Sequence, residues 1–274
     1  MKISFGHLGK IMAVAILLSV GAFASTAYAF HTWGGYHWAR TANPFNLKLG
    51  NNVSTIWDTQ LVNSSIDWTI STALDTTVVT GLTNPKNCKA VNGRVEVCNN
   101  KYGKNGWLGI ASIWISGNHI TAGTVKLNDT YFNTAKYNTP AWKQFVMCQE
   151  IGHTIGLDHQ DEAFDNANLG TCMDYTNDPS GTLLSQLDNQ HPNAHDFEEL
   201  DAIYSHLDTF TTIFSSVFNT KSPILTSNNN ADIDTSNKSE WGKVIRNSKD
   251  GRNSLYERNL GKGNKLFTFV IWAD

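Results

Sequence analysis

The chain has 274 residues, 41% hydrophobic, 11% aromatic and 16% charged, which is enough apolar material for a sizeable core and too little charge for a disordered tail protein. Its 21 basic and 24 acidic residues leave a net charge of −3, without the basic footprint of a nucleic-acid binder. The length fits one main domain with an appendage.

Lys2 and Lys10 precede an apolar run over 11–24, and Ala27-Tyr28-Ala29 follows it. This is the three-part plan of a secretory signal with a small-x-small cleavage site. Residues 1–29 are therefore expected to be removed, and the mature chain to begin at Phe30. The run is shorter than the ~20 residues a spanning helix needs, no later stretch is long enough, and no cysteine near the cut can carry a lipid. The expectation is a secreted, extracellular protein with no membrane anchor after cleavage. Cleavage removes two lysines and no acid, leaving 19 basic against 24 acidic residues and a net charge of −5.

The mature N-terminus carries His31, Trp33, Tyr36, His37 and Trp38, an aromatic segment expected to dock on the body. A strand is predicted over 45–49, closed by Gly50-Asn51-Asn52. A helix capped by Ser54 follows, with Ile56, Trp57, Leu61, Ile66, Trp68 and Ile70 as its core-facing stripe. Val78-Val79 reads as a short strand, and Asn92-Gly93 with alternating valines as a hairpin or loop. The runs 108–116 and 120–127, split by Gly117-Asn118-His119, read as adjacent strands. Thr139 as cap and Pro140 at the first helical position announce a helix that continues to Thr154 and stops at Gly156. Asn193 caps another, with Asp196, Glu198 and Glu199 early and Phe197, Leu200, Ile203, Tyr204 and Leu207 on one face. Residues 220–239 are polar and linker-like, and 254–260 and 266–272 form a predicted hairpin around Gly261-Lys262-Gly263-Asn264. The expected organisation is signal 1–29, main domain 30–208, linker or long loop 209–239 and C-terminal β-hairpin segment 240–274.

An even number of cysteines in an exported chain favours two disulfides over a metal cluster. Three pairings are possible. Cys88 and Cys98 flank a short loop that a local bridge can close, which leaves Cys148 with Cys172, tying a helix to a later turn.

The chemistry lies in Cys148-Gln149-Glu150-Ile151-Gly152-His153-Thr154-Ile155-Gly156-Leu157-Asp158-His159. On a helix, positions 149 and 153 are one turn apart and can share one metal ion. Glu150 stands beside them. Gly156 can take a positive φ and turn the chain so that His159 returns to the same ion.

This stretch resembles the signature of the metzincin zinc endopeptidases, His-Glu-x-x-His-x-x-Gly-x-x-His followed by a methionine turn. Glu150, His153, Gly156 and His159 match, Cys172-Met173-Asp174-Tyr175 stands where that family has its Met-turn, and Gln149 replaces the first histidine. The element order looks matrixin-like, whereas the Met-x-Tyr spacing is that of astacin-like and serralysin-like members, in which the tyrosine assists at the metal. The resemblance covers about residues 43 to 208, with its specific content at 149–175. It implies an α/β zincin fold: a twisted, mostly parallel sheet with an active-site helix and Met-turn, here with the C-terminal hairpin added.

It further implies a zinc-dependent endopeptidase acting on protein or peptide substrates. Glu150 would be the general base, His153, His159 and Gln149 the metal ligands, Met173 the floor and Tyr175 a fifth ligand or transition-state group. An amide oxygen is a weaker zinc donor than imidazole, so another divalent metal is an alternative. A non-ligating Gln149 is another, with water or Tyr175 completing the shell. The strand over 117–127 is the expected edge for substrate addition, Asp158 and Asp161 are candidate orienters of His159, and cysteine-switch latency is not expected because the ~15 residues 30–44 hold no cysteine and are too few for a folded prodomain. His31, His37, His119, His191, His195 and His206 lack ligand-like spacing with this site and read as structural or surface groups. The expected state is a monomer. The competing reading is a secreted binding module that keeps the fold but has lost turnover through Gln149.

Overall fold

In the computed structural model, residues 31–214 and 233–273 are described. The expected signal and most of the linker lie outside them. Strand β1 (His37–Trp38) and strand β2 (Phe45–Asn52) open the fold. Phe45, Leu47 and Leu49 are buried on one face of β2, as their alternation predicts. Gly50, Asn51 and Asn52 do not close this strand. They extend it, because β2 pairs in parallel with both β3 (Leu74–Thr80) and β4 (Val95–Asn100) and the Asn52 amide donates to the buried Glu96 carboxylate.

A 3-10 turn at Thr55–Trp57 leads into α1 (Asp58–Trp68), and Ser54 makes no side-chain cap. Of the expected stripe, Trp57, Leu61 and Trp68 are buried, whereas Ile56, Ile66 and Ile70 are exposed. The buried face is Gln60, Leu61, Ser64, Ser65 and Trp68, and its small serines let α1 approach α3 (Pro140–Thr154). There the Gln144 amide donates to Ser64 Oγ at 3.0 Å and the Trp68 indole to Cys148 O at 3.2 Å. Between Cys88 and Cys98 the chain is a loop feeding β4, not a hairpin, because both neighbours of β4 run parallel to it. Both expected disulfides, Cys88–Cys98 and Cys148–Cys172, are formed.

Strands β5 (Trp107–Ser116) and β6 (His119–Asn128) form the predicted adjacent pair, antiparallel across the Gly117 turn. A single helical turn, α2 (Asp129–Phe132), follows, and later α4 (Ala194–Ile203), whose capping box joins Asn193 and Asp196. Leu200, Ile203 and Tyr204 face the core, while Leu207, past the helix end, is exposed. The C-terminal region supplies β7 (Lys243–Asn247), β8 (Asn253–Gly261) and β9 (Asn264–Trp272).

These strands make one mixed sheet of order β3-β2-β4-β6-β5-β9-β8-β7, with β1 paired to β6. Two expectations change. Pairings among β1 to β4 and β6 are parallel, but those of β5, β7, β8 and β9 are antiparallel, so the sheet as a whole is not mostly parallel. The 117–127 segment is not an edge either, because β6 has β4 on one side and β5 on the other. β5 is buried along Trp107 to Ile115. One face joins the main core through Leu108, Ala111 and Ile113, and Trp107 and Ile110 pack with Trp241, Tyr256 and Val270.

Candidate metal centre

Helix α3 starts where its sequence says. Thr139 Oγ accepts from the Trp142 N–H at 3.2 Å, and Pro140 needs no partner for a missing N–H. Its last carbonyls are satisfied by the aromatic N-terminal segment and by Tyr204 at the end of α4. The Trp33 indole donates to His153 O at 3.2 Å, the Trp38 indole to Thr154 O at 2.9 Å, and the Tyr204 hydroxyl to Ile155 O at 2.9 Å. Buried helix ends need such partners, so this segment fixes the end of α3 that carries His153.

Gly156 stops the helix at φ 105°, and a Cβ there would meet Tyr36 O at 2.8 Å. The turn delivers Leu157 O to His153 Nδ1 at 2.9 Å and brings His159 Nε2 to 2.9 Å from His153 Nε2. His159 Nδ1 meets Glu162 Oε1 at 2.7 Å. Carbonyl and carboxylate oxygens only accept, so both Nδ1 atoms carry a proton, and when both rings are neutral the two Nε2 atoms present bare lone pairs to each other. Two such lone pairs repel unless a cation lies between them, and this second-sphere bonding is the habit of metal-ligating histidines. Burial, with His159 close by, pushes the His153 imidazole well below its ordinary pKa, keeping it neutral as a ligand must be.

Gln149 is wholly buried, its amide N–H donates to Cys172 O at 2.8 Å, and its Oε1 has no partner. Both oxygens of buried Glu150 are likewise unpartnered, and burial raises its carboxyl well above the ordinary range. Such orphaned acceptors carry a desolvation cost that a cation or a water would relieve. Gly109 of β5 makes room for Glu150, since a Cβ there would lie 2.6 Å from Glu150 Oε1. Met173 lies under α3 at Gly152, where a Cβ would meet its Sδ at 2.5 Å. The two Nε2 atoms are donors a divalent metal can take, and Gln149 and Glu150, on the same helix α3, keep oxygens without a partner.

Tyr175 stands against His159, ring centroids 4.5 Å apart, and its hydroxyl donates to Val270 O at 3.4 Å. Asp158 accepts from the His159 backbone N–H at 2.8 Å and pairs with Arg246, and Asp161 pairs with Lys249. Asp158 Oδ1 lies 3.8 Å from His159 Nδ1, and the carboxylate that hydrogen-bonds the ring is Glu162, which the sequence reading missed. A carboxylate three residues past a ligand was its only signal.

The C-terminal strands cover the site. β9 lies antiparallel on β5, with Phe269 opposite Ala111 and Ile271 opposite Gly109. Phe269 stacks on the His153 ring at 4.0 Å and 11°. Arg246 bridges Asp158 and Glu162, and Ser254 Oγ donates to Glu162 Oε2 at 3.3 Å. As a result Glu150 and His153 are each 1% exposed and His159 8%. No helix among the described residues is long and apolar enough to cross a membrane.

No family model matches the chain, and no curated protein matches it. Among solved structures it is similar to high choriolytic enzyme 1, a hatching-enzyme zinc protease from Oryzias latipes (medaka fish), at 10% identity and a TM-score of 0.36, covering 63% of this chain and 96% of that one.

Proposed function

We propose that the chain is a secreted zinc metalloendopeptidase of metzincin type whose cleft is closed by its own C-terminal strands. The observation that carries this reading is the meeting of His153 and His159 Nε2 at 2.9 Å, each ring held at Nδ1 by an acceptor, with the unpartnered oxygens of Gln149 and Glu150 on the same helix as His153. His153, His159 and Gln149 would hold a zinc ion, which when bound would supply Lewis acidity toward a water and a peptide carbonyl. Glu150 takes the proton of the attacking water and hands it to the leaving amine. Met173 supports the helix from below, and Tyr175 becomes available to the reacting carbonyl when its hydroxyl leaves Val270 O. β5 receives the substrate backbone as an added antiparallel strand, the position β9 holds.

The closure favours a second reading, a binding module without turnover. The two are separated by assaying cleavage of an unfolded protein substrate with the mature chain, with Arg246→Ala/Phe269→Ala to loosen the cover, and with Glu150→Gln added to that variant. The peptidase reading expects cleavage that rises at least tenfold on loosening and is lost with Glu150→Gln while zinc stays bound. A loosened, folded, zinc-loaded chain that does not cut establishes the binding module instead.

A further inference from the structure

Away from this site, three histidines converge on one carboxylate oxygen. His37 lies on β1, opposite His119 at the start of β6. His206 and Asp208 follow α4. Asp208 Oδ1 lies 3.6 Å from His37 Nε2, 3.1 Å from His119 Nε2 and 3.9 Å from His206 Nε2, and the His206 and His37 Nε2 atoms are 3.1 Å apart. The sequence reading treated these histidines as unrelated surface or structural groups. The fold gathers them from segments more than eighty residues apart.

With neutral rings, His119 can donate Nε2–H to Asp208 Oδ1 and His206 can donate Nε2–H to His37 Nε2, both at 3.1 Å, and a metal ion would take the place of such protons. His37 Nδ1 donates to Gly35 O at 3.0 Å, so its Nε2 is a bare lone pair when the ring is neutral. That lone pair stands 3.1 Å from His206 Nε2 and 3.6 Å from Asp208 Oδ1, so one ion could be shared by all three atoms. Asp208 Oδ2 is occupied, accepting from the Arg40 backbone N–H and guanidinium, both at 3.1 Å. Only Oδ1 is left to face the imidazoles. One oxygen held by a hydrogen bond while the other points at nitrogen donors is how ligating carboxylates are set. In a tetrahedral zinc site with bonds of about 2.0–2.1 Å, neighbouring donors stand about 3.3 Å apart, and the three spacings among His37, His206 and Asp208 are 3.1, 3.6 and 3.9 Å.

We propose that His37, His206 and Asp208 form a second metal site that takes a zinc-like divalent transition ion, with His119 positioning the Asp208 carboxylate. Two imidazoles and one carboxylate are donors that suit such an ion better than calcium or magnesium, which take oxygen. The site is structural. It has no unpartnered acid beside it, and it clamps β1 to the chain after α4, where Arg40 also donates to Tyr204 O at 2.8 Å. The same Trp38 and Tyr204 cap the carbonyl end of α3, so the clamp secures the end of the helix that bears His153. The proposal is independent of the peptidase reading.

The test uses the mature chain carrying His153→Ala and His159→Ala, loaded with zinc, freed of excess and assayed for metal by atomic emission. About one equivalent is expected to remain and to disappear when His206→Ala is added. His119→Ala should weaken binding 10- to 100-fold, and cobalt in place of zinc should give the strong visible absorption of a tetrahedral site. The His206 side chain is half exposed, so its replacement should leave the fold intact, as near-ultraviolet circular dichroism would report. If the double alanine chain proves unfolded, the same comparison is made in the wild-type background, where His206→Ala should remove one equivalent. Zinc that is absent from the folded background, or retained equally with His206→Ala, overturns the proposal and leaves the Glu150 site untouched.

Discussion

Replacing Glu162 with methionine tests whether His153 and His159 form a metal centre rather than a buried histidine pair. Glu162 accepts from His159 Nδ1 at 2.7 Å, pairs with Arg246 Nε at 3.0 Å and accepts from Ser254 Oγ at 3.3 Å. Methionine keeps the bulk and removes all three. An outer-sphere carboxylate on a ligating histidine is worth 10- to 100-fold in metal affinity, or about 1.4 to 2.7 kcal/mol. Stability should fall as well, because His159 Nδ1 is left buried without an acceptor, at about 1–3 kcal/mol. Arg246 keeps Asp158, which limits the loss on that side. Zinc affinity is measured by competition with a chromogenic chelator, and stability by urea unfolding without metal. Asp161→Asn is the control on the same loop: its carboxylate pairs with the exposed Lys249, so metal affinity should change less than twofold. A folded Glu162→Met chain that binds zinc as tightly as wild type refutes the reasoning.

Gln149→His should tighten zinc binding at this site at least tenfold, since imidazole is the better donor; unchanged affinity in the same competition assay would mean that Gln149 is not a ligand. Lys126 is buried, 3.4 Å from Asp234 Oδ1, and burial lowers its pKa to about 8 despite that carboxylate. Its folded pKa lies below the unfolded value, so the unfolded chain holds the proton more firmly and stability should rise by up to about 3 kcal/mol as pH climbs from 8 to 10.5. Lys126→Met should abolish that rise and stabilise the protein at pH 7, and urea midpoints across the window would show a persisting slope if the assignment is wrong. Cys148→Ser/Cys172→Ser releases a loop with a sequence separation of 24, a loss of about 3–4 kcal/mol by chain entropy. It should also loosen zinc, because Gln149 is held by Cys172 O; calorimetry and metal titration on one preparation would separate the two effects.

Much of the candidate centre was legible in the sequence because it is local. His153 and His159, six residues apart at the end of a capped helix, meet because Gly156 turns the chain. Thr139 and Pro140 start α3, Asn193 starts α4, and the cysteine spacings select the bridges seen. These choices depend on i to i+4 geometry and on the partners that helix ends require. The α1 stripe failed where periodicity was read too generously. Ile56, Ile66 and Ile70 face water, because Ser64 and Ser65 rather than a larger apolar residue allow the close approach to α3.

What the tertiary structure decided is long-range. An apolar run on both faces of 107–115 signals a fully buried strand, but not that β9, more than 150 residues later, would take its open edge. Nor does spacing show that Arg246 reaches Asp158 and Glu162, that Phe269 stacks on His153, or that His37, His119, His206 and Asp208 share one point. Local sequence sets which backbone conformations a segment prefers. Which distant segments meet depends on the edges and faces left over once each element has formed, and that is settled only when the whole sheet is assembled.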